Sequence, residues 1–375
     1  MRFISGLLLA LFSLLSIHGF AQANSSAANR PLRVAIVGLV HGHVHGFLGQ
    51  YRHNPEIEIV GVVEPDSQLL AKAAKRYGFE QNILFADLEQ MLKKAQPQAV
   101  LVYTNTYDHR RVVEICAKHG VHVMMEKPLA VSMEDALAMQ KAAHAGNIQV
   151  MVNYETSWYA SNRAAYDLVH ENALGDVRKV VVHDGHNGPK EINVEPEFLN
   201  WLTDPKLNGA GALFDFGCYG ADLMTWLMDG QRPETVTAVT QRIKPEIYSR
   251  VDDEATVVIT YPKAQAILQA SWNWPFGRKD MEVYGQTGYA MTERNDRIRL
   301  RRGGPSDDAH EEEMTAKPLP APYDNELSYL HAVILDAAKP DVLSALDTNV
   351  TVTEILDAAR RSAESGKTVR LPASR

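Results

Sequence analysis

The sequence predicts an α/β protein in which a doubly wound parallel sheet is followed by an α+β domain with an open, mainly antiparallel sheet. The first observation is the length, because 375 residues are enough for two domains. The second is a regular alternation of short apolar strands and amphipathic helices across residues 32–153. The third is a change of period after Tyr154, where strands of alternating polar and apolar residues follow one another.

In the first domain, residues 32–153, five apolar runs predict strands, and the segments between them predict helices. Two of these helices end at Gly78 and Gly120, and glycine is the residue that most easily takes the left-handed conformation at a helix end. Strands separated by helices form parallel sheets, which bind ligands at the carboxyl ends of their strands. The predicted strands are LRVAIVGL, IEIVGVVEP, QAVLVYTN, HVMMEKP and IQVMVNY.

Residues 154–324 are predicted to form the second domain. It begins with a helix before Val177, and six strands follow between Val177 and Arg294. Within it, the glycine-rich segment GAGALFDFGCYGADLMTWLMDG becomes an apolar helix. The charged, proline-containing segment from Arg301 to Asn325 is predicted to be a loop. Two C-terminal helices, in residues 325–375, are predicted to pack back on the first domain. An open sheet face would be a liability if left bare, which favours a homo-oligomer formed through it.

The formal net charge of −8 argues against nucleic acid or an anionic membrane as a partner. Residues 1–23, MRFISGLLLALFSLLSIHGFAQA, have the basic start, apolar run and small-residue end of a cleavable secretory signal. An uncleaved anchor helix is the alternative, although the apolar run is short. The segment has no twin-arginine pair, which favours export of the unfolded chain, and no cysteine at the cleavage point, which argues against a lipoprotein. We therefore expect export to the periplasm and no stable membrane insertion afterwards. An exported protein could pair Cys116 with Cys218, but their apolar or glycine-rich contexts favour buried free thiols.

Four pieces of the sequence resemble, in the same order, the Gfo/Idh/MocA oxidoreductases, the group of glucose–fructose oxidoreductase and inositol dehydrogenase. They are the first strand–helix–strand unit, MMEKPLAVS, LFDFGCYGADLMTWL and NVTVTEILDAARRSAESGKTVRLP. The resemblance implies a Rossmann domain that binds NAD or NADP and a second domain for substrate and oligomer contacts. It also implies hydride transfer to or from a sugar or polyol. Tyr219 stands where many members have histidine, which resembles the glucose–fructose oxidoreductase branch.

The resemblance assigns a catalytic role to Lys127, in the motif Glu126-Lys127-Pro128, and an acid–base role to Tyr219. An ammonium near the nicotinamide can donate to a substrate oxygen and lower the pKa of the hydroxyl. Lys127 would also lower the pKa of Tyr219 from its reference value of about 10. Asp215 would hold substrate hydroxyls or orient the tyrosine, and Glu126 would touch the ribose or brace the lysine. Taken alone, Lys127 is equally a solvated lysine at a strand end, and Tyr219 a packed aromatic.

The loop GLVHGHVHG after the first strand departs from the dinucleotide fingerprint G-x-G-x-x-G. Gly38 supplies the first glycine, but Val40 and His43 hold the second and third positions. Helix N-terminal amides remain available to an anion. Glu64 ends the second strand, where it could bind the ribose hydroxyls and repel a 2′-phosphate, which favours NAD. Alternatively, it could cap the next helix or turn. His109 could equally be structural. The predicted cofactor-binding residues are Gly38, Val40, His41, Gly42, His43, Glu64, Asn105, His109 and Glu126.

Histidines alternate in the same loop, and His183 and His186 follow in the second domain. If these five residues converged on one crevice, they could bind Zn²⁺ or another divalent ion, with His41, His43 and His45 as the candidate ligands. Their spacing matches no tight ligand signature, so hydrogen bonds to substrate or phosphate are the simpler interpretation and no metal is expected. The predicted substrate-binding residues are Asn153, Asp184, His186, Lys190 and Asp222.

Three functions are consistent with these residues. The first is an exported NAD(P)-dependent oxidoreductase that acts on a sugar or polyol. The second is a redox-assisted glycosidase or lyase, in which tightly bound NAD transiently oxidises a ring hydroxyl and acidifies the neighbouring C–H. The third follows from the missing glycines: a protein without the dinucleotide, either a metal-dependent lyase or a carbohydrate-binding protein.

Overall fold

The computed structural model describes residues 31–304 and 310–373. The predicted signal sequence, residues 1–23, lies outside these described residues. Within them, no helix is both long enough and apolar enough to cross a membrane.

Six strands form the sheet of the first domain: β1 (Leu32–Val37), β2 (Ile57–Val63), β3 (Leu84–Phe85), β4 (Ala99–Val102), β5 (His122–Glu126) and β6 (Val150–Asn153). Their order is β3-β2-β1-β4-β5-β6 and every pairing is parallel, so the predicted doubly wound sheet is confirmed. The sequence did not predict β3, because two residues at a sheet edge show no periodicity. The helices are α1 (His43–Tyr51), α2 (Ser67–Tyr77), α3 (Leu88–Ala95), α4 (His109–His119) and α5 (Met133–Gly146).

The connections of this sheet reverse direction between β1 and β4, which opens a crevice at the carboxyl ends of these strands. Local capping fixes the helices around it. Helix α2 begins after Asp66, whose carboxylate accepts hydrogen bonds from two amides of the first turn, and it ends at Gly78 with φ of 74°. As a result, the β1–α1 loop, the end of β2 and the Glu126-Lys127-Pro128 motif lie at one edge of the sheet.

Nine strands form the sheet of the second domain: β7 (Val177–Gly185), β8 (Thr235–Gln241), β9 (Glu254–Thr260), β10 (Gln265–Ser271), β11 (Arg278–Gly285), β12 (Tyr289–Glu293), β13 (Arg297–Arg301), β14 (Glu311–Thr315) and β15 (Val369–Arg370). Their order is β14-β13-β12-β11-β7-β10-β9-β8-β15. All pairings are antiparallel except that of β7 with β10, which confirms a mainly antiparallel sheet. Among the described residues after β6, seven α-helices accompany this sheet: α6 (Ala160–His170), α7 (Pro196–Leu202), α8 (Pro205–Asn208), α9 (Ala212–Asp215), α10 (Gly217–Leu227), α11 (Glu326–Leu335) and α12 (Leu346–Ser365).

Strand β14 lies in the segment that the sequence predicts to be a loop, so that prediction is wrong for these five residues. All five residues of β14 are exposed, and three of them are consecutive glutamates, so no polar–apolar alternation marks the strand. It pairs with β13, which the sequence also did not predict. The opposite charges of the two strands favour this pairing, as in the contact of Arg299 with Glu311 at 3.3 Å.

One face of the second sheet is covered by α10 and α12, and the other face is open. Buried and half-buried residues alternate along β9 and β10, as expected when only one face packs on the core. All eleven residues of α10 are buried, because it lies between the sheet and α12. Cys218 in α10 and Cys116 in α4 are both buried and unpaired, which confirms two free thiols.

The C-terminal segment serves both domains rather than packing on the first domain alone. Helix α11 buries Leu327, Leu330 and Val333 in the same apolar cluster as strand β1. Helix α12 contacts α5 and β6 of the first domain, but also α10 and β8 of the second. Strand β15 then extends the second sheet beyond β8. Residues 326–370 therefore connect the first domain with the second.

Gly38→Ala is expected to lower the free energy of unfolding by at least about 1–2 kcal/mol, because the residue has φ of +85°. An added Cβ would also lie 2.7 Å from the amide nitrogen of Thr104. Gly46 in α1 is the matched control, since an added Cβ there meets no atom within 4 Å. Gly46→Ala should stabilise by roughly 0.5–1 kcal/mol. Urea denaturation measures both, and equal effects at the two positions would contradict this account of the β1 turn.

Candidate active site

The β1–α1 loop is held against the second domain by helix α7. The indole nitrogen of Trp201 donates a hydrogen bond to the carbonyl oxygen of Val40 at 3.1 Å. The ring of Phe198 packs on that of His41, with centroids 4.6 Å apart. A Cβ added to Gly42 would lie 2.9 Å from the Phe198 ring, so close packing favours glycine there. The loop is therefore part of the boundary between the two domains.

Lys127 and Asp215 form a buried ion pair across this boundary. Nζ of Lys127 donates to Oδ1 of Asp215 at 2.6 Å and to its backbone oxygen at 2.8 Å, and the indole of Trp272 donates to Oδ2 at 2.9 Å. Burial opposes both charges, but their mutual attraction raises the pKa of Lys127 and lowers the pKa of Asp215. The pair is ionised at neutral pH. Asp215 thus orients the lysine, which corrects the prediction that it orients Tyr219.

Tyr219 lies beside the same pair, but its hydroxyl meets Lys279. Nζ of Lys279 donates to the hydroxyl at 3.5 Å and forms an ion pair with Glu155. Nζ of Lys127 instead lies over the ring, 5.0 Å from its centroid. Burial, reinforced by the carboxylate of Glu155, raises the pKa of Tyr219 well above its ordinary value. The predicted lowering of this pKa is therefore wrong, and the hydroxyl is a neutral phenol.

A cavity of about 300 Å³ connects these residues with the β1–α1 loop. Its volume is at the lower end of those in which small molecules bind. The apolar part of the lining comes from α7, the segment before it and Phe216. The polar part converges from both domains and consists of His43, Lys127, His186, Glu195, Asp215, Tyr219 and Lys279.

Two of the three loop histidines face Glu126. His43 is half exposed, with Nδ1 2.9 Å from Oε2 of Glu126, and His41 is buried, with Nδ1 accepting a long hydrogen bond of 3.3 Å from the amide of His43. Burial lowers the pKa of His41 well below its ordinary value. The other oxygen of Glu126 accepts a hydrogen bond of 3.2 Å from Asn153. Glu126 therefore makes its hydrogen bonds to His43 and Asn153, rather than bracing Lys127 as predicted.

The five histidines do not converge on one point, so the condition for a five-histidine metal site is not met. Nδ1 of His45 is 2.6 Å from the hydroxyl of Tyr77, and its Nε2 is 3.5 Å from Glu195. His183 bonds Gln269 and Glu282 on neighbouring strands of the second sheet. His186 does line the cavity.

Glu64, directly after β2, holds the β1–α1 loop by a hydrogen bond. Its carboxylate accepts hydrogen bonds from the amides of Leu39 at 2.9 Å and Asp66 at 3.0 Å. Burial raises the pKa of Glu64, although these two amides oppose the shift. The alternative prediction is that Glu64 caps the next helix or turn. Asp66 caps α2 instead, whereas Glu64 does cap the turn after β2 through the amide of Asp66.

Asn105 and His109 make local contacts after β4. The side chain of Asn105 accepts a hydrogen bond of 3.1 Å from the amide of Asp108. His109 is buried, and its Nδ1 lies 3.1 Å from the carbonyl oxygen of Leu129. Both interactions position the backbone at the crevice, which supports the structural alternative for His109.

Of the five predicted substrate-binding residues only His186 lines the cavity; the others do not, namely Asn153, Asp184, Lys190 and Asp222. Lys190 is exposed, and Asp222 is fully buried within α10. Asp184 lies opposite Lys279 across the β7–β11 pairing, and burial raises its pKa well above the ordinary value. Burial therefore favours its neutral form. The sequence could not show this, because burial of a polar side chain depends on which helix covers it.

Sequence reasoning also missed Lys279, Glu155 and Trp272. Each comes from a different element, and no motif marks any of them. Lys279 and His186 also line a second cavity of about 630 Å³ on the open face of the sheet, together with Phe276, Arg278 and Arg299. The two cavities therefore share Lys279 and His186.

A doubly wound parallel sheet whose crevice faces an α+β domain defines a two-domain protein of the Rossmann class. Residues 32–154 match the model of the oxidoreductase family with an NAD-binding Rossmann fold, and residues 162–291 match that of the Gfo/Idh/MocA C-terminal domain. Together the two matches cover more than half of the chain. The protein belongs to the Gfo/Idh/MocA family of oxidoreductases.

Its relatives are distant. The trans-1,2-dihydrobenzene-1,2-diol dehydrogenase of Macaca fuscata fuscata is 24% identical over 229 residues, which are 61% of this chain and 64% of the macaque enzyme. The aldose-aldose oxidoreductase from Caulobacter crescentus, solved with glycerol, has a TM-score of 0.77 at 24% identity, covering 91% of this chain and 100% of that one. An inositol dehydrogenase homolog from Azotobacter vinelandii, solved with NAD⁺, has a TM-score of 0.78 at 18% identity, covering 91% and 98%. The two structures share the fold of this chain.

Tyr219→Phe is expected to lower turnover by the same factor at every pH from about 6 to 9, because the phenol stays protonated throughout this range. A hydroxyl that only donates or accepts a hydrogen bond adds no limb to the pH–rate profile. Steady-state rates of both enzymes across this range test the expectation. A basic limb that disappears in the phenylalanine variant would show instead that Tyr219 ionises.

Proposed function

We propose that this protein is an NAD(P)-dependent oxidoreductase that transfers a hydride between the nicotinamide and a CH–OH or carbonyl group of a sugar or polyol. The observation that carries the proposal is the buried, charged Lys127, held by Asp215 at the cavity where the Rossmann crevice meets the second domain. The aldose-aldose and inositol dehydrogenase-like relatives support this substrate class. Tyr219 supports the glucose–fructose oxidoreductase-like branch of the family.

The first domain fits a dinucleotide at its β1 turn and at the end of β2. Gly38 keeps the left-handed turn against Thr104, as the fingerprint requires. Glu64 lies beside this turn, and its two hydrogen bonds leave lone pairs that could accept the ribose hydroxyls. Because a carboxylate would repel a 2′-phosphate, we expect NAD to bind more tightly than NADP. Val40 and His43 replace the second and third glycines, so contacts to the phosphates must come from the loop amides.

Lys127 is the residue that handles charge on the substrate oxygen. An ammonium has three donors, and two of them go to Asp215, which leaves one for a ligand in the cavity. During carbonyl reduction this N–H stabilises the negative charge that develops on the oxygen and delivers its proton there. In the reverse direction the same ammonium favours ionisation of the substrate hydroxyl, whose proton passes to solvent water. The bound dinucleotide supplies the hydride acceptor or donor.

Dinucleotide binding is the direct test. Protein purified without added cofactor is denatured, and the released NAD(H) is measured. In parallel, thermal shifts with NAD and NADP are compared for the wild type and Glu64→Gln. We expect NAD to raise the melting temperature more than NADP, and the difference to shrink in the variant. If no dinucleotide is released and neither one raises the melting temperature, the proposed function is wrong.

We also propose that the protein is exported to the periplasm, on the strength of the signal-like pattern in residues 1–23. Cell fractionation, with N-terminal sequencing of the product, tests it. A cytoplasmic protein that retains these residues would contradict the proposal.

We further propose a homo-oligomer formed through the open face of the second sheet. Apolar side chains that are half exposed in the single chain, such as Val181, Val258 and Ile267, support it. Light scattering coupled to gel filtration measures the state, and a monomer at micromolar concentration would contradict the proposal.

A further inference from the structure

His41, His43 and Glu126 bring three potential metal ligands together at the β1–α1 loop. One ring nitrogen of each histidine and one carboxylate oxygen of Glu126 lie within 4.8 Å of one another. We propose that this cluster binds a divalent transition-metal ion, Zn²⁺ in the first instance. Two imidazoles with one carboxylate form the three-ligand set of catalytic zinc sites, which keep a further position open. The proposal does not rest on the oxidoreductase function.

Glu126 is held in place by a chain of hydrogen bonds behind it. The carboxylate is only 4% exposed. Asn153 donates to its Oε1 at 3.2 Å, and the indole of Trp158 donates to the amide oxygen of Asn153 at 3.1 Å. This arrangement fixes Oε2 on the side of His43. Outer hydrogen bonds of this kind orient the carboxylate ligands of metal sites.

The two histidines are placed by different means. The ring of His41 packs against the rings of Phe198 and Trp201 of helix α7, with centroids 4.6 and 5.4 Å away. Its Nδ1 accepts the long hydrogen bond from the amide of His43, so this nitrogen carries a lone pair that a metal could take instead. His43 begins α1 with its ring edge-on to that of His41, at a centroid distance of 4.5 Å. Glycine at position 42 lets α7 pack on the loop between them.

His43 also faces the cavity that contains Lys127 and Tyr219. A metal bound by His43 would therefore have its open position on the side from which a ligand enters. The ligand chemistry that fits is an oxygen donor, such as the hydroxyl or carbonyl of a polyol or a phosphate oxygen. This places a Lewis acid and the Lys127 ammonium at one cavity.

The alternating sequence would equally suggest His45 as a ligand, but the structure separates it. Its ring contacts Tyr77 and Glu195, and it is not part of the cluster. His45→Gln is therefore a matched control for His43→Gln: the same substitution, two residues away. The side chain of His43 is 46% exposed, so its replacement should leave the fold intact.

The test uses the full chain without a histidine tag, stripped with a chelator and titrated with Zn²⁺ and Co²⁺. We expect one ion per chain by elemental analysis and Co²⁺ absorption bands typical of a low-coordinate site. We expect at least about tenfold weaker binding in His43→Gln and Glu126→Gln, with His45→Gln unchanged. Melting temperatures establish that each variant is folded. Absence of stoichiometric metal in the wild type would overturn the proposal, as would equal losses in His43→Gln and His45→Gln. Because the readout is metal content, its failure is distinct from failure to bind a dinucleotide.

Discussion

Lys127→Met is expected to lower turnover by roughly 10²–10⁴-fold while leaving dinucleotide affinity within a few-fold of the wild type. The substitution keeps most of the apolar side chain but removes the ammonium. Two N–H groups of this ammonium donate to Asp215, and the third is the one available to the substrate oxygen. Turnover is followed by the absorbance of the reduced nicotinamide, with a sugar or polyol that the wild type converts. Dinucleotide affinity is measured separately by calorimetry, because the loss should lie in the chemical step.

Lys263→Met is the matched control. Lys263 lies in the exposed turn between β9 and β10, so the same change there should affect neither turnover nor affinity. If Lys127→Met retained turnover near that of the control, Lys127 could not be the group that stabilises the substrate oxygen, and the proposed mechanism would fail.

Asp215→Ala is expected to lower the free energy of unfolding by about 3–5 kcal/mol, because it leaves the ammonium of Lys127 buried without its counter-charge. The indole N–H of Trp272 also loses its acceptor. Chemical denaturation at neutral pH measures the loss. The double variant Lys127→Met/Asp215→Leu should recover most of the stability, since no charge then remains buried, but it should not recover turnover. A single variant as stable as the wild type would contradict a buried ion pair.

The same pair gives the stability a defined pH dependence. The pKa of Asp215 is held below its ordinary value of about 3.9, so its contribution is present above that pH and is lost as pH falls through the lowered value. The pKa of Lys127 is raised above its ordinary value of about 10.4, so its contribution is complete below that pH and is lost only as pH rises through the raised value. The stability difference between wild type and Asp215→Ala should therefore be flat at neutral pH and shrink in acid.

The catalytic proposal depends on contacts that cross the domain boundary. Lys127 comes from the end of β5, Asp215 from α9, and Tyr219 from α10. Their meeting requires α10 to be sandwiched between the second sheet and α12, and α12 in turn packs on α5 of the first domain. Substitutions that loosen the packing of α12 should therefore affect the active site from a distance.

The sequence by itself determined the two-domain architecture and the edge at which the site lies. Apolar runs spaced by helix-length segments specify a parallel sheet, and strands in such a sheet share one carboxyl edge. Gly38, Glu64 and Lys127 each lie at the carboxyl end of a predicted strand, so their common location could be inferred without coordinates. The strands β3 and β15 escaped prediction because each has only two residues, and β14 because its consecutive glutamates show no alternation. Strand β13, RIRLR, does alternate and was overlooked.

Only the tertiary structure decided which side chains meet at that edge. Lys127 forms its ion pair with Asp215, and the hydroxyl of Tyr219 contacts Lys279. Asp222 is buried away from the cavity, and His45 is separated from His41 and His43. The physical reason is that local periodicity specifies which face of an element is buried. The neighbour across a domain boundary, and hence the charge and desolvation that set each pKa, depends on how whole elements pack.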